Sequence, residues 1–209
     1  MIFVLFTLDQ GKNKKALDRF QSVSAQRYAD RLSQPFERLD ERRIFTSIKP
    51  FHAGILPYLL LDFSVQARAV ACQTIFANDV LDFSLPQQQT LSAEDALRLL
   101  ADLEVTPNGL LTSSFRGFGP RIDLALNTIA RLYLECLFTL TRVEAEVIET
   151  LRTLQYERYQ DPIQARSFEL QKVAAERLGK SPVAIHKSLK SSRFELISDT
   201  AKAMQSIIG

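Results

Sequence analysis

A chain of 209 residues, 46% hydrophobic, 9% aromatic and 24% charged, can bury a sizeable core, which excludes wholesale disorder. The formal charge is only +2, so the molecule as a whole is not a polycation. The longest apolar run, Ile55 to Leu61, contains Pro57 and falls far short of the roughly 20 residues that cross a bilayer.

The N-terminus, Met1-Ile-Phe-Val-Leu-Phe, has no basic residues before its apolar run and no small-residue cleavage site, so no signal peptide is expected. The two cysteines, Cys72 and Cys136, lie in apolar, helix-like segments and read as buried thiols rather than a disulfide framework. Both features point to a cytoplasmic protein. The length suits one large domain, or one medium and one small domain.

Ile2 to Leu8 is apolar and β-rich and reads as a buried strand. Lys14 to Leu32 carries Leu17, Phe20, Val23, Tyr28 and Leu32 at spacing that suits an amphipathic helix. Ile44 to Ile48 and Ile55 to Phe63 are strand candidates, and the second is too short and too uniformly apolar to be typed by periodicity. Val65, Ala69, Cys72 and Phe76 share a helical face, so a helix is predicted over 65–76, with a strand at Val80 to Leu85. Ser92 followed by Glu94 and Asp95 marks a capped helix running to about Leu103. Thr106-Pro-Asn-Gly109 reads as a turn before a strand at Leu110 to Phe115. Strands alternating with helices predict an α/β (or α+β) N-terminal domain over 1–116, serving sensing or dimerisation.

From Gly117 onward the pattern is all-helical, which sets a second domain over 117–209. Pro120 suits a first helical turn, and Ile122 to Leu140 is long and apolar on one side, a helix suited also to dimerisation. Thr141-Arg-Val-Glu144 is a capping box, in which hydroxyl and carboxylate satisfy each other's orphan amides. The helix it opens carries Val147, Ile148, Leu151 and Leu154 as its buried stripe. Tyr156 to Arg166, with Asp161-Pro162, reads as a connection.

Charge is unevenly placed. Residues 1–150 carry 16 Lys/Arg against 18 Asp/Glu, whereas 151–209 carry 10 against 6. Between 171 and 193 lie Lys172, Arg177, Lys180, Lys187, Lys190 and Arg193 with one acid, Glu176, which is the footprint of a small polyanion-binding module. A solvated lysine-rich face is the plainer account of such charge taken alone. Here it coincides with a helix pair at about 168–192. Leu170, Ala174 and Leu178 repeat at four-residue spacing, and Ala175 is small where two helices approach. Gly179 can take the left-handed turn, Ser181 can cap the next helix, and Pro182 fits its first position. At 100° per residue Ile185, Ser188, Leu189 and Ser192 form one face, expected to be buried. Val183, His186, Lys187 and Lys190 form the opposite face, suited to base edges and phosphates.

The stretch Leu140-Thr-x-x-Glu-Ala-Glu-Val-Ile148, followed by Val173-Ala-Ala-Glu-Arg-Leu-Gly-Lys-Ser-Pro-x-x-Ile-x-Lys-Ser-Leu-Lys190, resembles the helix-turn-helix of LuxR-type regulators and of the promoter-binding region of sigma factors. The resemblance covers about 55 residues, and the link from Thr141 to the Gly179 turn is longer here, with an insertion around 156–167. It implies a bacterial DNA-binding transcription regulator whose last helix enters the major groove. By position the contacting residues are Ser181, Val183, Ala184, His186, Lys187 and Lys190, with Lys180 and Arg193 adding charge at the two ends. Over the whole chain the sequence is similar to SatD-like proteins, in its first strand, in Gly119-Pro120-x-x-x-x-Ala125 and in its C-terminal helix pair, although a Gly-Asp-Glu-Phe-like stretch near the second strand is absent.

After the pair, Phe194, Ile197, Ala201, Met204 and Ile208 mark a last amphipathic helix, which either packs back on the pair or makes a dimer contact. No catalytic constellation is evident. The two histidines, His52 and His186, are far apart, no Cys/His spacing suits zinc, and Gly117-Phe-Gly119 reads as a plain turn. Asp9 and Asp62 are the pair of carboxylates that could share a metal, but a strand-end residue and a satisfied edge residue are the simpler readings. The expected partners are double-stranded DNA, a second copy of the chain, and a small-molecule or protein effector at the N-terminal domain. No cofactor, metal, membrane or enzymatic activity is expected. An interaction or adaptor protein that uses the helix pair to hold a protein partner is the alternative.

Overall fold

The structure, a computed structural model, describes residues 1–8, 14–67, 69–76, 93–101, 113–161 and 168–209. The expected strand at 80–85, the turn at 106–109, the Ser92 cap, Asp9 and the 162–167 part of the insertion expected around 156–167 lie outside these residues.

The N-terminal part runs β1 (Ile2–Leu8), α1 (Lys14–Tyr28), β2 (Leu32–Arg38), β3 (Arg43–Ile48), α2 (Leu56–Ala67), β4 (Ala69–Phe76), α3 (Ala93–Ala101) and β5 (Ser113–Arg116). The strands lie in the order β2-β3-β1-β4-β5. β1 pairs antiparallel with β3 (Val4 opposite Thr46) and with β4 (Val4 opposite Thr74), and β5 joins β4 in parallel. The first four strands thus have the split βαβ arrangement, in which β3 separates β1 from β2. The class is α+β: most of the pairing is antiparallel, and the alternating parallel layer allowed by the sequence pattern is confined to the β4–β5 edge.

Strand alternation sorts the core. Ile2, Val4 and Phe6 join α1 and α2 in the main apolar cluster, while Phe3 and Leu5 are buried outside it, with Phe3 stacked on Phe45 at 5.9 Å between centroids. Phe6 meets Phe63 at 4.5 Å and Phe20 at 5.7 Å, tying β1 to both helices. Each such ring contributes roughly 1.5–3 kcal/mol by leaving water.

Two expectations fail around α2. The run Ile55–Phe63, a strand candidate, is helical, preceded by a 3-10 turn at Pro50–Ile55. Every residue from Ile55 to Val65 is buried, because α2 is enclosed between the sheet, α1 and the C-terminal helices, so it has no polar face to reveal its period. The helix predicted over 65–76 ends at Ala67, and 69–76 form strand β4. The helical spacing of Val65, Ala69, Cys72 and Phe76 was accidental, since it crosses a helix–strand junction. β2, whose apolar positions Leu32 and Phe36 are four apart, carries no strand alternation and is a further strand that the pattern hid.

The C-terminal part is helical: α4 (Pro120–Phe138), α5 (Arg142–Tyr159), α6 (Gln171–Leu178), α7 (Pro182–Ser191) and α8 (Phe194–Ile208). The turn into α4 uses Gly117 and Gly119 at φ +90° and +101°. Its amides at 117 and 118 donate to the Asp123 carboxylate, at 3.0 and 2.9 Å, so the chain itself occupies the donors that a phosphate would need. The apolar cluster runs without interruption from β1 through α2 to α4, α5, α7 and α8. No helix among the described residues is long and apolar enough to cross a membrane.

Candidate nucleic-acid interface

The local chemistry that sets α7 in place begins at Thr141. Its side chain accepts from the Glu144 amide at 3.3 Å, and the Glu144 carboxylate accepts from the Thr141 amide at 2.8 Å, the reciprocal pair predicted for the box. Glu144 also accepts from the Ser191 hydroxyl, joining the start of α5 to the end of α7. Burial opposes ionisation of Glu144, yet the bonds from Ser191 and Thr141 hold its carboxyl below the usual range. Arg177 of α6 makes a two-pronged pair with Glu157 of α5, at 3.0 and 2.8 Å, and this lowers the Glu157 carboxyl in turn.

The turn between α6 and α7 follows from three residues. Gly179 takes φ +62°, and the Lys180 amide returns to the Ala175 carbonyl at 2.9 Å, closing α6. The Ser181 side chain accepts from the Ala184 amide at 3.2 Å, and Pro182 occupies the first position of α7. Ala174 and Ala175 are buried where the helices meet, as are Ile185 and Leu189 on the inner face of α7.

The outer face is open. Val183 is 63% exposed, and His186, Lys187 and Lys190 are exposed beside it. These four residues are thus brought together on one side of a short, anchored helix. Ala184 is half-buried at its edge. Lys187, Lys190 and Arg193 have no ion-pair partner among the described residues, so their charge is available to an external anion. Lys180 differs, for it pairs with Glu146 of α5 at 3.1 Å and is mostly shielded. Ser181 differs too, since its hydroxyl already serves as the cap. Arg193 stands just beyond α7 in a left-handed conformation, φ +54°, where the chain turns into α8.

Compared with protein-family models, curated proteins and solved structures, the chain gives no match.

The last helix buries its apolar stripe inside the molecule. Phe194, Ile197, Ala201 and Met204 are enclosed, and α8 lies against α4, α2 and the 50–55 turn as well as α7. Tyr58 donates to Gln205 at 3.0 Å across this contact. That stripe is therefore consumed by packing, on a wider surface than the helix pair alone.

Asp62 is neither an edge residue nor open to a metal. It is fully buried at the centre of α2, and its carboxylate receives Arg27 of α1 (2.6 Å), Arg152 of α5 (2.9 and 3.3 Å) and the Tyr28 hydroxyl (2.8 Å). Arg152 also donates to the Tyr28 oxygen at 3.1 Å and lies over the Tyr58 ring at 5.3 Å. Burial alone would raise the Asp62 pKa, but the two guanidinium charges and their hydrogen bonds bring it down to about 2. Tyr28 is pushed up by burial and by the neighbouring carboxylate. No cluster of three or more metal-ligating side chains occurs among the described residues. The sequence offered one trace of this network, an aspartate within an apolar run. Its partners lie 34 to 90 residues away along the chain, and nothing local marks them.

Proposed function

We propose that the protein is a DNA-binding transcription regulator in which α6 and α7 act as a helix-turn-helix and α7 enters the major groove. The observation that carries this reading is the outer face of α7, where Val183, His186, Lys187 and Lys190 stand exposed on a helix fixed from behind by Ile185 and Leu189. Lysines without internal partners supply the phosphate contacts that dominate affinity, while an aliphatic group and an imidazole reach base edges. Arg193 extends the cationic edge, Ser181 and Ala184 border it, and Lys180 joins only by leaving Glu146. The N-terminal α+β part serves effector binding or assembly, and a homodimer would present two α7 helices to half-sites about one helical turn apart.

The test is DNA binding by the purified full chain, after selection from random oligonucleotides, at two salt concentrations. Lys187→Glu is expected to abolish binding, and Lys187→Ala to reduce the slope of log K against log salt by about one unit. Full binding by the Glu variant would remove the DNA reading in favour of an adaptor role. Sedimentation equilibrium decides the homodimer, and a monomer mass at working concentration would exclude it.

A further inference from the structure

Beside the outer face of α7 lies a cavity of about 290 Å³, at the small end of ligand pockets. Its walls carry four nitrogenous side chains, the Gln171 carboxamide from α6, His186 and Lys190 from α7 and Arg193 from the junction with α8. Its apolar lining is Leu189 and Phe194, both nearly buried, and Glu195 is the one acid on its border. Neither Lys190 nor Arg193 has an ion-pair partner among the described residues. α8 begins at this cavity with no side chain capping it, because its N-cap is Arg193 in a left-handed conformation. The unsatisfied amides of that first turn add positive potential to the two cations.

We propose that this cavity binds a small organic oxyanion, a carboxylate or phosphate monoester on a compact apolar body. A bare phosphate would satisfy the cations and leave the Leu189–Phe194 surface wet, whereas an uncharged apolar molecule would strand the cations without a partner. The ligand's charge lies against Lys190 and Arg193 and its body against Leu189 and Phe194. Three of the walls, His186, Lys190 and Arg193, belong to the surface assigned to DNA, so occupancy competes with DNA. This second part rests on the DNA reading, and the binding itself does not.

The experiment is an amide NMR titration of the full chain with phenyl phosphate, with benzoate as second probe and benzyl alcohol as uncharged control. Saturable shifts centred on residues 186–195 are expected for both anions and not for the alcohol. Arg193→Asn, which keeps a residue tolerant of the left-handed conformation, should weaken phenyl phosphate roughly fivefold or more. Glu195→Gln should tighten it, a gain that damage to the fold cannot mimic. Lys202→Ala on the far part of α8 should change nothing. Absence of saturable shifts, shifts spread equally over all exposed lysines, an equal response to the alcohol, or no effect of either pocket substitution would overturn the site. Lys187 does not line the cavity, so Lys187→Glu should lose DNA and still bind phenyl phosphate. Binding of phenyl phosphate that leaves DNA affinity unchanged would refute the competition alone. Binding by a chain with no DNA affinity at all would retain the pocket and refute the regulator.

Discussion

Asp62 shows how one buried carboxylate can decide which helices pack together. Removing water from two guanidinium groups and a carboxylate costs several kcal/mol per ion, and the arrangement holds only because each charge finds the others at 2.6–3.3 Å. Asp62→Asn keeps the shape and removes the negative charge that faces Arg27 and Arg152. A loss of about 3–5 kcal/mol is expected by urea unfolding. The pH dependence follows from the same contacts. The folded pKa of about 2 lies below the unfolded carboxylate value, so this stabilisation is fully present above pH ~4. It is lost as pH falls from there through about 2, and amounts to about 2 kcal/mol. The Asn variant should therefore show a shallower acid limb across that window. A wild-type limb identical to that of the variant would show that the carboxylate is not held ionised.

Among elements, the α6–α7 turn was the most readable, because its signals are local. Gly179, Ser181 and Pro182 each impose a backbone state by their own chemistry, and all three states occur. A Cβ at position 179 would meet nothing within 4 Å, so Gly179→Ala tests backbone conformation alone. The expected cost is about 1–2 kcal/mol, with Gly179→Asn losing less, measured by thermal or urea unfolding. Equal stability of all three would contradict the left-handed turn. The capping box at Thr141 was legible for the same reason. Helix α2 was not, since a helix enclosed on every side shows no polar face, and strand β4 was hidden by a coincidence of spacing across its junction with α2. The Asp62 partners were out of reach because they depend on α1, α2 and α5 meeting in space. The exposed face of α7 was legible as a charge pattern. The Lys180–Glu146 pair, which withdraws one cation from that face, joins residues 34 apart and was not.

At the scale of the whole molecule, the change of character at Gly117 marks the end of the sheet and no gap in the core. α2 belongs to the split βαβ unit, yet it also carries the contacts of α4, α5 and α8. Tyr133 of α4 donates to the Pro57 carbonyl at 3.2 Å, Arg19 pairs with Glu149 at 2.6 Å, and Arg152 reaches into α2 to pair with the buried Asp62 carboxylate at 2.9 Å. A fragment of residues 117–209 would keep α7 and its lysines but expose the α2-facing sides of three helices and deprive the Arg152 guanidinium of the Asp62 carboxylate. That fragment is expected to lack a cooperative unfolding transition by circular dichroism and to lose the DNA affinity proposed for the full chain, even though every side chain proposed to contact DNA is present. The full chain should unfold in one step, with sheet, helix and tyrosine signals changing together. A fragment that folds cooperatively and binds DNA at full strength would show that the helices support α7 without the sheet. The buried Asp62 network would then serve only to join two independently stable halves.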